Sequence, residues 1–174
     1  MTENNYPTIQ ANVSLVATGG RVSFGYEGAD DLSKRHIEND GNINCAKPED
    51  LGKGPVGLEF HLLTPKVTLD GIDYDLKFVG RESIRIKEAK DGGSIFAYLL
   101  NCLLEVLQIK QGQFGGYTNP GGNPHKLRFT NQNNDNKRYK YTLRAKAQAE
   151  SGGAVLWLDD DPMIQNGGGN VGAF

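Results

Sequence analysis

Cysteine, tryptophan and methionine are nearly absent from this 174-residue chain: two, one and two residues respectively. Cys45 and Cys102 stand far apart, in no metal-ligand or redox spacing, and read as two free thiols in a reducing cytoplasm. An excess of positive charge is missing too. The formal net charge is -2, which argues against a dedicated nucleic-acid binder at the level of the whole chain. No apolar run is long enough to cross a bilayer, which takes roughly 20 residues; the longest, Ile95 to Leu107, is interrupted by Asn101 and Glu105. The opening Met1-Thr2-Glu3-Asn4-Asn5 has neither a basic nor an apolar signal region, so a cytoplasmic location is expected.

Catalytic motifs are absent as well. His36, His61 and His125 belong to no HExxH pattern, and no Gly-x-Ser-x-Gly elbow occurs. Gly167 to Gly172 matches G-x-G-x-x-G literally, but no helix opens after it to receive a pyrophosphate. No cofactor is expected.

Glycine is what the chain does have, 23 residues spread between apolar runs, as in a turn-rich β protein. Ala11–Thr18 and Arg21–Glu27 alternate on either side of Gly19-Gly20, a β-hairpin signature. Asp70-Gly71 marks another hairpin, between Lys66–Leu69 and Ile72–Val79. Val56–Leu63, Glu82–Glu88 and Lys126–Thr130 read as further strands. Residues 28–55 read as a long polar loop with a short helix near Asp31–Glu38, and residues 113–124 as a Gly/Asn/Pro loop. Ile95–Ile109, rich in Leu and Ala, predicts a buried helix, with a long central strand as the alternative. Lys137–Ala147 alternates apolar with basic, and a Ser151-Gly152-Gly153 turn leads to Ala154–Leu158. That second run carries no charge, so it is expected to be a central strand buried on both faces, with Trp157 toward the core. The expected architecture is a mainly β, antiparallel β-sandwich with one helix. It forms a single domain over 1–174, with flexible ends at 1–8 and 167–174.

Four constellations carry the chemistry worth weighing. Asp159, Asp160 and Asp161 are a candidate hard-cation site, though without EF-hand spacing; the competing reading is a solvated strand end. Asn131, Asn133 and Asp135 begin like a Ca²⁺ loop but lack its Gly and its Glu, and a polar turn accounts for them better. Cys45 with His36, Asp40 and Glu49 is the one conceivable nucleophile group on the long loop. Lys137, Arg138, Lys140, Arg144 and Lys146 make a basic stripe. Strand alternation turns Tyr139 and Tyr141 to its opposite face, which favours plain solvation over base stacking.

The ending Tyr139-Lys140-Tyr141-Thr142-Leu143, then Leu158 to Asp161, Pro162 and Met163 to Asn166, resembles small bacterial β-sandwich proteins of the DP-EP type. There a late strand runs into an Asp-Pro segment, here Asp161-Pro162. The resemblance spans about the last thirty residues and implies a fold and no activity.

The function expected from these observations is a non-enzymatic binding or self-assembly module. Homo-oligomers are a plausible form, and neither nucleic acid nor membrane is an expected partner. The alternatives are an enzyme with the loop-borne Cys/His site, or a small-ligand or sugar-binding sandwich using Tyr117, Asn119 and Trp157.

Overall fold

Gly19 and Gly20 hold φ of 57° and 75°, the positive pair that a two-residue hairpin turn requires. In the computed structural model, which describes residues 6–52, 54–89 and 113–166, they join β1 (Thr8–Thr18) to β2 (Arg21–Gly28). Then come α1 (Asp31–Lys34), β3 (Ile43–Cys45), α2 (Pro48–Leu51) and β4 (Val56–Leu62). Asp70 and Gly71, again at positive φ, turn β5 (Lys66–Leu69) into β6 (Ile72–Lys77). A 3-10 turn at Gly80–Ser83 leads to β7 (Ile84–Glu88). The remaining strands are β8 (Phe114–Thr118), β9 (Lys126–Asn131), β10 (Arg138–Ala149), β11 (Val155–Asp160) and β12 (Met163–Asn166).

These strands make two sheets that pack face to face, a mainly β, sandwich-like fold with little helix. The first sheet runs β2-β1-β4-β9-β8. The second runs β3-β12-β10-β6-β5, with β11 and β7 also on β10. Alternation decides what is buried. Ile9, Ala11, Val13 and Leu15 of β1 meet Leu58, Phe60 and Leu62 of β4 on the inner face of the first sheet. Tyr139, Tyr141, Leu143 and three alanines of β10 line the inner face of the second. The Phe60 ring lies 6.0 Å from Phe129 within its own sheet and 5.7 Å from Tyr141 across the interface. Phe114 meets Tyr139 edge-on at 4.9 Å.

Both sheets are mixed rather than purely antiparallel. β1 runs parallel to β4, and β3 parallel to β12. A parallel pair needs a crossover, and residues 29–55 supply it between β2 and β4. That stretch is therefore not a loose loop. Ile37, Ile43, Cys45 and Leu51 join the core, and Ser33 and His36 are buried. Asp30 caps α1, accepting from the Ser33 amide at 2.7 Å. Gly28 lets α1 lie against β2: a Cβ there would meet the Lys34 nitrogen at 2.2 Å. Asp40-Gly41 does not simply end a helix. It turns a small hairpin that bridges Ile37 to Ile43.

β10 is the spine of the second sheet. β11 and β12 share one register along one edge of it, Leu143 opposite Asp160 and Lys140 opposite Met163. Pro162 interrupts only the donors, since its carbonyl still accepts from the Tyr141 amide at 2.9 Å. The other edge carries β6 and then β7, separated by the 3-10 turn.

Three further expectations need correction. β11 is neither central nor buried on both faces: among the described residues it pairs with β10 alone, and Val155 and Leu156 are exposed. Residues 113–124 contain β8, whose two glycines disguise the alternation. The segment 6–8 is docked, with the Tyr6 hydroxyl 2.7 Å from the Thr130 hydroxyl and the Pro7 carbonyl accepting from Gly57. The predicted helix at 95–109, Cys102 and the end at 167–174 lie outside the described residues. Among those residues no helix is long and apolar enough to cross a membrane.

Candidate functional site

The thiol group does not converge. Cys45 points from β3 into the core and is 1% exposed. Its Sγ takes a hydrogen bond from Asn131 Nδ2 at 3.8 Å. Burial pushes the thiol up to about 12, the opposite of what a thiolate nucleophile needs. His36 donates Nδ1–H to the Asn44 carbonyl at 2.6 Å and turns Nε2 toward Asp50, 3.2 Å away but poorly aligned for a hydrogen bond. Asp50 is itself held by Arg35, whose hydrogen bond and charge draw its carboxyl below the usual range. Asp40 accepts from Asn42 within its turn, and Glu49 is exposed on α2. In native protein the Cys45 peptide is therefore expected to alkylate with iodoacetamide far more slowly at pH 8 than after unfolding, read by mass spectrometry. Labelling at the rate of a free thiol would show an open site.

The three aspartates diverge, because successive strand residues face opposite ways. Asp159 lies on the outer face, Asp160 turns inward to accept from the Tyr26 hydroxyl at 3.0 Å, and Asp161 is exposed at the break before β12. Among the described residues no group of three or more His, Cys, Asp or Glu is placed to hold a metal ion. Tyr117, Asn119 and Trp157 are not brought together either. Tyr117 stacks on Phe129 at 5.5 Å in the first sheet, with the Arg81 guanidinium 5.6 Å above its ring. Asn119 ties strand ends together: its Nδ2 donates to the carbonyls of Lys126 and Phe78, and its Oδ1 accepts from Gly80. Trp157 belongs to the second sheet.

Sequence reasoning missed a buried amide junction at one end of the sandwich. Asn131 and Asn166 are fully buried and Asn133 nearly so. Asn131 Nδ2 donates to Asn166 Oδ1 at 2.7 Å. Asn131 Oδ1 accepts from Gln113 and from the Asn133 amide, and Asn133 Nδ2 donates to the Cys45 carbonyl. Asn166 passes the chain on to Asp135, which also accepts from Tyr139. The asparagines of 131–136 were the available signal, since Asn tolerates the positive φ that Asn133 and Asn136 adopt. These groups satisfy one another and offer nothing to a ligand.

Two other polar features are weaker still. On the outer face of the first sheet, Glu59 is surrounded by His61, Lys126 and Arg128 at 2.5–4.0 Å, so its carboxylate is already held by its neighbours. Beside it lies an open recess of about 250 Å³ bounded by Asn12, Ser14, Glu27, Asn39 and Leu63, below the usual ~300–1,000 Å³ of small-molecule pockets.

The outer face of the second sheet is different. Along β10, Arg138, Lys140, Arg144 and Lys146 alternate outward, as the sequence implied. Register adds their neighbours: Arg85 lies opposite Thr142, Lys87 opposite Lys140, and Lys77 opposite Lys146. On the other side Lys146 faces Trp157 and Arg144 faces Asp159. Trp157 therefore stands outside, against expectation, with the Arg144 guanidinium 4.5 Å over its ring. Elsewhere Arg35, Lys66, Lys126, Arg128 and Lys137 each pair with a carboxylate. Among the described residues, Lys77, Arg85, Lys140, Arg144 and Lys146 make no ion pair. A chain of net charge -2 thus gathers five cations without a direct ion pair on one face, around its only tryptophan and with Asp159 opposite Arg144. The chain matches no protein-family model and no curated protein.

Proposed function

We propose that this protein is a non-enzymatic binding module whose working surface is the outer face of the second sheet, and that it takes a polyanionic partner there. One observation carries the reading: Lys77, Arg85, Lys140, Arg144 and Lys146 share that face without carboxylate partners. Asp159, opposite Arg144, offsets part of this field and leaves the cations in excess, while acids beyond the ~8 Å Debye length at physiological salt are screened. The two-sheet scaffold fixes the backbone positions of these cations, so the ordering cost of binding is confined to their side chains. The resemblance to DP-EP type proteins is compatible with this and adds no activity.

The test is retention on immobilised heparin and anisotropy with a labelled oligonucleotide at 50 and 200 mM salt. Binding is expected to weaken steeply with salt, since each neutralised phosphate of a single strand contributes about -0.7 to the log–log slope. Reversing Lys140, Arg144 and Lys146 together to Glu should lower affinity at least tenfold while leaving the far-ultraviolet circular dichroism unchanged, because all three point away from the core. No binding of any polyanion at 50 mM salt, or full binding by the reversed variant, would remove the proposal.

A further inference from the structure

Building on that reading, we infer that the polyanion is a single-stranded nucleic acid, one of whose bases stacks on Trp157. The argument begins with what an aromatic ring adds to a cationic face. Lysines and arginines alone attract any polyanion. A sulfated glycan has no π-face to set against an indole and an acidic peptide has one only where it carries an aromatic side chain, whereas every nucleotide brings a base that has one. A duplex keeps its base faces stacked inside, so a flat sheet can reach them only in an unpaired strand.

The position of Trp157 fits this use. β11 has no strand beyond it among the described residues, so its side chains border the rim of the sheet. Trp157 is partly exposed, and Arg144 covers the ring from within the sheet. The guanidinium carbon lies 4.5 Å from the indole centroid, so its positive charge polarises the ring that a base would meet. Among the described residues, Arg144 Nε is buried and has no hydrogen-bond partner.

The cations around the ring form a track. Same-face residues along a strand repeat at about 6.8 Å, twice the ~3.4 Å rise, and neighbouring strands lie ~4.8 Å apart. From Lys140 to Lys146 along β10 the path is about 20 Å, flanked by Arg85 and Lys77 on the strands opposite. That length suits a few nucleotides of extended backbone. Thr142, Gln148 and Gln165 are the only neutral hydrogen-bonding side chains that this register brings to the same face from β10 and β12. Binding should therefore tolerate most sequences.

Trp157, as the sole tryptophan, reports on its own site. The probes are a dT 15-mer, an rU 15-mer, an abasic 15-mer with the same phosphodiester backbone, a duplex and heparin. The expected result is that the dT or rU strand binds at least tenfold tighter than the abasic strand or the duplex and quenches tryptophan emission. Trp157→Ala and Trp157→Leu should each lose about tenfold for the base-bearing strand, in line with stacking of one base. Both should leave abasic and heparin binding within about twofold. Trp157→Phe should keep most of the affinity, which guards against a loss caused by misfolding. Equal affinity for dT, rU and abasic strands, preference for the duplex, or indifference to Trp157→Ala would each overturn the inference. Heparin binding that is still lost on reversal of the three β10 cations would then leave the polyanion reading standing. If no probe binds, both fall.

Discussion

Replacing Phe60 with alanine is expected to destabilise the protein by about 3–5 kcal/mol, the range for a large aromatic deleted from a packed core. The melting temperature should fall by on the order of 10 °C. Phe60 is 1% exposed and sits where the two sheets meet, in contact with Phe129 beside it and Tyr141 opposite. Deleting the ring removes apolar burial and also leaves a void that two sheets, each fixed by its own hydrogen bonds, cannot close. Leu63→Ala is the control, since Leu63 is 59% exposed and should change stability by no more than about 0.5 kcal/mol. Urea denaturation of both variants measures the difference. A loss below about 1 kcal/mol for Phe60→Ala would mean that the sheets do not pack through this ring.

The second large effect belongs to the amide junction. Asn131→Ala is expected to cost about 2–4 kcal/mol, because it strands Asn166 Oδ1, the Asn133 amide and Gln113 Nε2 in a buried setting. Asn131→Asp sharpens the test. It keeps the acceptor toward Gln113 and Asn133 but replaces the donor toward Asn166 Oδ1 with a second acceptor carrying charge. Burial raises the pKa of such a carboxyl in the folded state. Relative to wild type, the variant should then be least destabilised below about pH 4, where the acid is protonated folded and unfolded, and fall further behind as pH rises past that value. Parallel pH profiles for wild type and Asn131→Asp would contradict the buried junction.

How much of this was legible in the sequence depends on the element. The two hairpins turned by Gly19-Gly20 and Asp70-Gly71 could be read directly, because positive φ at paired turn positions leaves few residue choices. The inner and outer faces of β10 could be read from strict alternation. Strand direction could not: the parallel pairings of β1 with β4 and β3 with β12 leave no mark on alternation. β8 escaped because Gly115 and Gly116 occupy its middle and its register slips there. Residues 28–55 looked like loop because their polar side chains bond inward, as Ser33 does to the Gln10 amide. The candidate face was half legible. Its cations were visible along one strand, but the face of Trp157 depends on the register across the turn, where Ala149 pairs with Ala154 and so Lys146 with Trp157. A slip of one residue would have turned the ring inward.

The wiring of the second sheet has a consequence for synthesis. Among the described residues, every strand of the first sheet has left the ribosome once Asn131 has emerged, whereas β3 has only its bridge to Ile37 until β12 appears, and β5 and β6 wait as a lone hairpin for β10. An isolated hairpin is marginal in water. While residues 132–166 are being made, the apolar face of the first sheet, Ile9 through Phe129, lacks β10, whose Tyr139 and Tyr141 pack on it in the folded protein. At 5–20 residues per second, the stretch from Asn131 to Asn166 takes roughly 2–7 s, long enough for holdase chaperones or for like chains on the same message to find it. Slowing codons placed after β9 would lengthen that exposure, and faster ones would shorten it.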